Sequence, residues 1–262
     1  SYNAFNRSLG FENVSSEDWK TVLIIFFDEP VEDFDLSYSA GLKAVEADPN
    51  DDVAWNYFGC ALDRLAINNK SADLNEPFDA FKKAQTLNPS SLYSVNVAYY
   101  AIVTGNYTYA VEVTDKALEY YTPDNWWKGE LLFFKAYALA ELGESETALN
   151  NLELSENAYN LDESYEWNEY DYAADGFVSA IALNDLGRFD ESIELLKRVD
   201  TDKLGDYFEG LLITPEMYMD VYGAALSGAG QKDEAVLAFE KSLGYNSDYG
   251  SAKEHLENLN TN

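Results

Sequence analysis

The chain has 262 residues, of which 47% are hydrophobic and 15% aromatic, so it can build a sizeable core and is not globally disordered. It carries 48 Asp and Glu against 17 Lys and Arg, a net charge of -31, and such acidity repels phosphate backbones and anionic membranes. We therefore expect no nucleic-acid partner. We expect no membrane insertion either, because apolar runs such as residues 22–27 are far too short to span a bilayer.

The first segment, residues 1–15, has no helical period of its own but carries four apolar side chains. Ordering each residue costs about 1–2 kcal/mol of backbone entropy, so an ordered arm has to bury those side chains somewhere. Two hosts are open: the first helical hairpin of the same chain, and a groove of a second copy. We favour the second host, which predicts self-assembly into an oligomer or filament through an arm containing Tyr2, Phe5, Leu9 and Phe11.

Helical periodicity runs through residues 16–262 without a linker long or polar enough to divide them, which predicts a single domain. Three irregular inserts interrupt it, at 67–74, 159–168 and 200–213. A closing helix at 248–260 is polar on one side, as a capping helix has to be. The helices before it are predicted at 17–27, 33–47, 52–66, 75–87, 91–103, 107–120, 126–141, 145–158, 169–185, 189–199, 215–228 and 232–244.

A short signature recurs four times in this helical region: a small residue, a glycine seven positions later, and a small residue five beyond that. The constant inner spacing predicts helical hairpins in which the glycine ends the first helix with a positive φ. The small residues are expected where the paired helices cross, because close packing needs short side chains there. The four copies are Ala98-Gly105-Ala110, Ala136-Gly143-Ala148, Ala180-Gly187-Ser192 and Gly223-Gly230-Ala235.

These segments resemble the tetratricopeptide repeat (TPR) family. The run Ala54-Trp-Asn-Tyr-Phe-Gly59 matches the first helix of its pattern, and Phe81-Lys-Lys-Ala-Gln-Thr-Leu-Asn-Pro89 matches the second. The resemblance covers about residues 16–245, although the spacing between copies exceeds the family's repeat of about 34 residues. It implies an all-α, right-handed α-solenoid of about six TPR-like hairpins with a C-terminal capping helix, and a non-catalytic, protein-binding role.

Acidic residues are the main candidates for chemistry. Residues 48–52 begin like a calcium loop, but Val53 and Gly59 stand where that loop requires Gly and Glu, so we expect a turn. A second group crowds the insert at 159–168 and the helix after it, where a solvated acidic surface is favoured over a cation site. Its members are Asp162, Glu163, Glu166, Glu169, Asp171 and Asp175.

No residue pattern indicates an enzyme. No carboxylate pair stands out by its spacing, so we expect neither catalysis nor a cofactor. The single cysteine and single histidine exclude an internal disulfide and a Cys/His zinc site, and no metal is expected. Cys60 is expected to be a packed small residue, and His255 to be simply exposed.

Four Asn-x-Ser/Thr sequons fall in predicted turns or in the N-terminal arm, at Asn6, Asn13, Asn69 and Asn106. The sequence begins at Ser1, which fits removal of a signal peptide or of a tag. These observations favour an extracellular or cell-surface location with N-glycosylation, and cytoplasmic is the alternative. Glycan is also a possible partner of the aromatic residues that we expect to be exposed, which are Trp126, Trp127, Tyr165 and Trp167.

The sequence therefore favours a non-catalytic scaffold outside the cell that binds protein, including copies of itself. The alternative is a monomeric adaptor or peptide-binding chaperone that receives basic client segments on an acidic face. That face is expected within residues 136–187, which contain twelve Asp and Glu and no Lys or Arg.

Overall fold

The computed structural model describes residues 15–27, 33–68, 73–121, 124–162, 164–208 and 210–261. Those residues contain α-helices and no β-strand, and none of the helices is both long enough and apolar enough to span a bilayer. The helices are α1 Ser16–Phe27, α2 Phe34–Ala47, α3 Asp52–Asn68, α4 Asn75–Leu87, α5 Ser91–Val103, α6 Tyr107–Tyr120, α7 Asn125–Glu141, α8 Ser145–Asn160, α9 Glu169–Asp185, α10 Phe189–Leu196, α11 Leu204–Tyr207, α12 Pro215–Gly228, α13 Lys232–Tyr245 and α14 Gly250–Thr261.

Backbone contacts divide the chain into two compact units, residues 1–104 and 105–262. In the first unit α1 packs against α2, and α3 packs against α4. In the second unit α7 packs against α8, α9 against α10, and α12 against α13, and α14 lies against α13. Each unit is therefore built from antiparallel hairpins of sequence-adjacent helices. A single domain over 16–262 stays a prediction.

Within the second unit the recurring signature marks the hairpin turns as predicted. Its four glycines, at 105, 143, 187 and 230, have φ values of 74°, 77°, 71° and 79°. At Gly143 the turn closes with two backbone hydrogen bonds: the Glu144 N–H donates to the Leu139 carbonyl (2.9 Å), and the Gly143 N–H donates to the Ala140 carbonyl (3.0 Å). This pair satisfies carbonyls that the end of a helix leaves free, and it requires a left-handed residue that glycine adopts without strain.

The small residues of the signature are buried, as predicted. Ala136, Ala148 and Ala180 have no exposed surface, and the Gly223 backbone lies against an aromatic ring. A Cβ added to Gly223 would lie 2.5 Å from the Phe239 ring. The glycine is therefore required by the close approach of α12 and α13.

In the first unit, α3 and α5 are joined by side-chain hydrogen bonds along their length. The Tyr93 hydroxyl donates to Asp52 (2.8 Å), and the Tyr100 hydroxyl donates to Asp63 (2.6 Å). Cys60, on the same helix α3, is packed as expected, and burial raises the pKa of its thiol to about 12. A thiol with so high a pKa is a poor nucleophile.

In the core of the second unit the buried rings of Tyr137, Phe177 and Tyr218 lie in a row. The Phe177 ring lies 5.9 Å from Tyr137 and 6.0 Å from Tyr218, centroid to centroid. The two tyrosine hydroxyls donate to backbone carbonyls, Tyr137 to Leu212 and Tyr218 to Leu196, both at 3.1 Å. These bonds fix the path of the insert between α10 and α12.

Helix α10 ends at Leu196, three residues earlier than predicted. The β-branched residues Val199 and Thr201 disfavour its continuation. Between them, the Asp200 carboxylate accepts a hydrogen bond from the Asp202 N–H (3.1 Å) and so caps a new 3-10 turn, Thr201–Lys203, which leads into α11. The insert predicted at 200–213 therefore contains two short helical elements, and α10 keeps only two turns.

Candidate binding groove

A groove beside α9 has a volume of about 690 Å³. Its sides come from α8 and α10, the second helices of two successive hairpins, and α9 forms its floor. Leu149, Leu183 and Leu195 supply apolar surface, and the walls carry the carboxylates of Glu146, Glu153, Asp190, Glu191 and Glu194. We call this cavity the α9 groove.

The α9 groove has an excess of negative charge. Five carboxylates and two guanidinium groups line it, a net charge of -3. Arg188 forms a two-pronged ion pair with Glu191, with both N···O distances at 2.7 Å. Among the described residues no ion pair includes Glu146, Glu153 or Glu194, although Arg188, which also interacts electrostatically with Glu146, and Arg198 line the same groove.

A second depression of about 420 Å³ adjoins the α9 groove at Leu195 and Arg198, which line both. It lies over the N-terminal half of α9, beyond the end of α10, and includes Tyr172 and Gly176. The Tyr207 hydroxyl of α11 donates to Glu169 across it (2.8 Å). The early end of α10 therefore leaves open a part of α9 that a longer helix would approach.

Asp175 lies in this second depression and is half-buried. Burial, with a smaller contribution from the Glu156 carboxylate, raises the pKa of Asp175 to about 6. A carboxylate held in such surroundings is stabilised by any cation that approaches it. This end of α9 therefore favours positively charged groups, although Arg198 and Lys203 also line the depression.

The acidic residues that crowd residues 159–175 do not converge on one point. Asp162 accepts from Ser164, Asp171 accepts from the Asn168 N–H at the start of α9, and Glu169 accepts from Tyr207. Across the described part of the chain, no three Asp, Glu, His or Cys side chains come together as a metal site would require. Glu163 lies outside the described residues. Asp162, Asp171 and Glu169 therefore each accept a separate hydrogen bond and do not form a shared site.

The aromatic residues expected to be exposed pack largely against one another. Tyr159 and Tyr165 stack at 4.5 Å, Trp126 lies 5.1 Å from Tyr165, and Trp167 stacks on Tyr172 at 5.4 Å. Tyr172 keeps 61% of its surface exposed, which leaves it the open edge of this cluster. The cluster braces the connection between α8 and α9, and Tyr172 borders the second depression.

His255 is not simply exposed, which corrects the expectation from the sequence. Its Nδ1 lies 2.8 Å from the buried carboxylate of Asp220 on α12, and its ring lies 4.9 Å from that of Phe239. The Ser251 hydroxyl donates to the same carboxylate (2.6 Å), and the hydrogen bond to Asp220 raises the pKa of His255. The capping helix α14 is thus attached to the last hairpin by polar as well as apolar contacts.

Seven of the eight site residues predicted from the sequence lie outside the described residues: Tyr2, Phe5, Leu9, Phe11, Asn6, Asn13 and Asn69. The eighth, Asn106, is exposed at the N-cap of α6, and Thr108 of its sequon is also exposed. The α9 groove was not predicted. Its signal in the sequence is the Val199-Asp200-Thr201 run, which combines poor helix formers with a capping residue.

The fold has solved counterparts of low sequence identity. A chain of the APC/C hetero-tetramer Cut9-Hcn1 superposes with a TM-score of 0.67 at 17% identity, and the match covers 98% of this chain but 45% of that one. A tetratricopeptide repeat protein from Parabacteroides merdae ATCC 43184 gives 0.60 at 15% identity, covering 94% and 99%. PilW, a type IV pilus biogenesis factor, gives 0.59 at 15% identity, covering 92% and 98%.

No protein-family model matches the sequence, and no curated protein matches it closely enough to count as a relative. The structural matches nevertheless bear out the expectation drawn from the repeat signature. The chain has the all-α, TPR-like solenoid fold.

Proposed function

We propose that this protein is a non-catalytic scaffold that binds other proteins, and that the α9 groove receives a basic segment of a partner. The observation that carries the proposal is the coincidence, in one groove, of leucine side chains from three helices and an excess of carboxylates over guanidinium groups. Apolar surface contributes affinity when it is buried, and the carboxylates select for positive charge.

A solvated acidic surface accounts for the charge of the chain but not for the form of this groove. Acids that only keep a protein soluble do not need a concave apolar floor between them. Glu153 and Glu194 come from α8 and α10, on two different hairpins, and both line the same cavity. A lysine or arginine side chain lying in the groove would offset the repulsion between such carboxylates.

The experiment uses the full chain and a fluorescently labelled Lys/Leu/Ala peptide of about 15 residues, a length matched to α9. Titration followed by fluorescence anisotropy gives the affinity. The double variant E153Q/E194Q keeps the shape of the groove and removes two charges, so we expect binding to weaken by roughly tenfold or more. Added salt is expected to weaken wild-type binding, because screening reduces attraction between exposed charges.

A matched control separates the groove from the general acidity of the chain. E112Q/E240Q makes the same change of charge at two exposed helical positions, on α6 and α13, outside the groove. We expect this control to bind about as tightly as the wild type. Equal losses in the two double variants would mean that the peptide responds to net charge alone.

The proposal also includes self-assembly through residues 1–15, an extracellular or cell-surface location, and glycosylation. The described residues do not bear on these three points. The N-terminal arm and three of the four sequons lie outside them. Light scattering of the full chain and of a chain lacking residues 1–15 tests the first point. Assembly that persists after the deletion would exclude the arm as the connector.

A further inference from the structure

We infer that a cavity beside the capping helix α14 binds a small, neutral aromatic molecule that carries one hydroxyl group, of the phenol class. The cavity has a volume of about 320 Å³ and is lined by residues of α10, α12, α13 and α14. We call it the α14 pocket. The inference goes beyond the protein-binding role and does not depend on the α9 groove.

Small residues of α12 leave the space for the α14 pocket. Ala224, Ser227 and Gly228 line it at positions i, i+3 and i+4, so they share one face of the helix. Helix α14 contributes lining residues at the same spacing, beginning at His255. The pocket is therefore built between a face of α12 with short side chains and a face of the capping helix.

Two phenylalanine rings supply aromatic surface to the pocket, Phe189 from α10 and Phe239 from α13. A Cβ added to Gly228 would lie 2.4 Å from the Phe189 ring, and one added to Gly223 would lie 2.5 Å from the Phe239 ring. Both rings therefore lie directly against the backbone of α12, which limits their movement. An aromatic ligand gains from contact with such rings beyond the area that it buries.

His255 gives the pocket an oriented polar atom. Its Nδ1 lies 2.8 Å from the Asp220 carboxylate, and the Ser251 hydroxyl donates to the other oxygen of that carboxylate (2.6 Å). The second ring nitrogen, Nε2, points away from Asp220 and has no hydrogen-bond partner among the described residues. An oriented polar atom beside aromatic and apolar surface is typical of small-molecule sites.

The charges around the α14 pocket favour a neutral ligand. Of the described residues that line it, His255 alone has a side chain that changes charge near neutral pH, and Asp220 balances that charge. The wall offers no carboxylate to a cation, and the net charge of -31 repels an anion. A hydroxyl group suits both states of the imidazole, because it donates to the neutral Nε2 and accepts from the charged one.

The experiment uses the full chain with isotope-labelled histidine, para-cresol as the probe, and NMR spectroscopy. His255 is the only histidine, so its ring signals are unambiguous. At about 30 Å³ for each water-sized group, the pocket has room for about ten non-hydrogen atoms, which accommodates para-cresol. We expect para-cresol to shift the Nε2 signal saturably, with a dissociation constant in roughly the millimolar range or below.

Two analogues and three variants locate the contacts. Toluene lacks the hydroxyl and is expected to bind roughly three- to tenfold more weakly than para-cresol, and the carboxylate para-toluate more weakly than para-cresol. A224L fills the pocket and is expected to weaken para-cresol binding by roughly tenfold or more, whereas A229L, the same change on α12 outside the lining, is expected to leave it nearly unchanged. H255F keeps a ring but removes Nε2, so para-cresol should lose its advantage over toluene, measured by saturation transfer to the ligand.

Each part of the inference has its own contradicting result. Equal affinity of the wild type for para-cresol and toluene would overturn recognition of the hydroxyl by Nε2, and tighter binding of para-toluate would overturn the preference for a neutral ligand. Undiminished binding to A224L would overturn the placement in the α14 pocket. If para-cresol does not bind the wild type, the inference is wrong and the proposal for the α9 groove is unaffected. Thermal unfolding checks that the variants are folded, and the three ligands on the wild type decide the chemistry if H255F is not.

Discussion

The hairpins α9–α10 and α12–α13 carry the same signature but differ in what they leave open. Both turn at a glycine with positive φ, Gly187 and Gly230. Helix α13 has fourteen residues and is followed by the capping helix α14, whereas α10 has eight and the chain turns away at Asp200. The signature therefore determines where a hairpin turns, and the residues after the second helix determine whether the first helix remains accessible.

The first helices of the two hairpins, α9 and α12, also carry different residues at corresponding positions. Eleven residues before the turn glycine, α12 has Met219, which is 3% exposed, and α9 has Gly176. Both positions are buried, but the methionine fills its site with a long side chain, whereas at Gly176 the Leu195 carbonyl oxygen of α10 would lie only 3.9 Å from an added Cβ. The two hairpins therefore bury the same position with different neighbours.

The largest expected effect is the loss of stability on substitution of Gly223, which is compared below with substitution of Gly176. Gly223→Ala would place a Cβ 2.5 Å from the Phe239 ring, so we expect a loss of about 1–3 kcal/mol in the free energy of unfolding. Chemical denaturation of the variant and the wild type measures it. A neutral result would mean that α12 and α13 separate without cost and that the signature does not report close packing.

Asp175, on α9, gives a second test of the difference between the two hairpins. The α9–α10 hairpin holds this carboxylate in surroundings that disfavour its charged form. Its pKa in the fold is about 6 against a reference value of 3.8, so ionisation costs stability as the pH rises between these values. We expect Asp175→Asn to raise the free energy of unfolding by about 1–2 kcal/mol at pH 8, after allowance for partial solvent screening. At pH 4 the gain should be close to zero, and denaturation at both pH values measures the difference. A gain of equal size at the two pH values would show that burial of charge is not its cause.

His255, which contacts the α12–α13 hairpin, also has a shifted pKa. Its charged form stabilises the fold, whereas the charged form of Asp175 destabilises it. Asp220 raises the pKa of His255, so its contribution to stability is complete below the reference value of 6.5 and is lost as the pH rises through the pKa in the fold. We expect His255→Gln to cost about 1 kcal/mol at pH 6 and much less at pH 9. Thermal melts at both pH values compare the variant with the wild type. A cost that does not change with pH would assign His255 a packing role only.

The smallest expected effect comes from making the same Gly→Ala substitution at Gly176, on α9, as was made at Gly223, on α12. Gly176→Ala introduces a Cβ that makes only an ordinary contact, 3.9 Å from the Leu195 carbonyl oxygen, so the free energy of unfolding should increase by about 0.5–1 kcal/mol through reduced backbone entropy in the unfolded chain. The same substitution would therefore stabilise α9 and destabilise α12. Denaturation of the two variants side by side measures both signs. Loss of stability at position 176 would mean that α9 and α10 pack more closely there than the 3.9 Å contact indicates.

The sequence predicts the hairpins well because their determinants are local. The helices at 75–87, 91–103 and 107–120 have the predicted bounds, since a capping or turn residue stands at each end. The burial of Ala136 and Ala180 follows from spacing alone. These features depend on residues only a few positions apart, which a single sequence displays directly.

The groove and the His255 contact depend on residues that are distant in the sequence. Asp220 and His255 are 35 positions apart, and nothing in the local pattern pairs them. The end of α10 depends on competition between continuing the helix and capping a new turn at Asp200, and Tyr218, from α12, stabilises the result by donating to the Leu196 carbonyl. The α9 groove then arises from packing between helices of two hairpins, which periodicity does not reveal.

The central claim, that the α9 groove is a binding site for a basic segment, is tested most directly by locating the bound peptide. Cys60 is the only cysteine, and burial raises the pKa of its thiol to about 12, so an added exposed cysteine can be labelled selectively. A fluorophore on the N150C variant, in the groove, and one on the E240C variant, on α13, are titrated with the Lys/Leu/Ala peptide carrying a quencher. The account predicts strong, saturable quenching at position 150 and little at position 240. Equal quenching at the two positions, or quenching at position 240 alone, would contradict it.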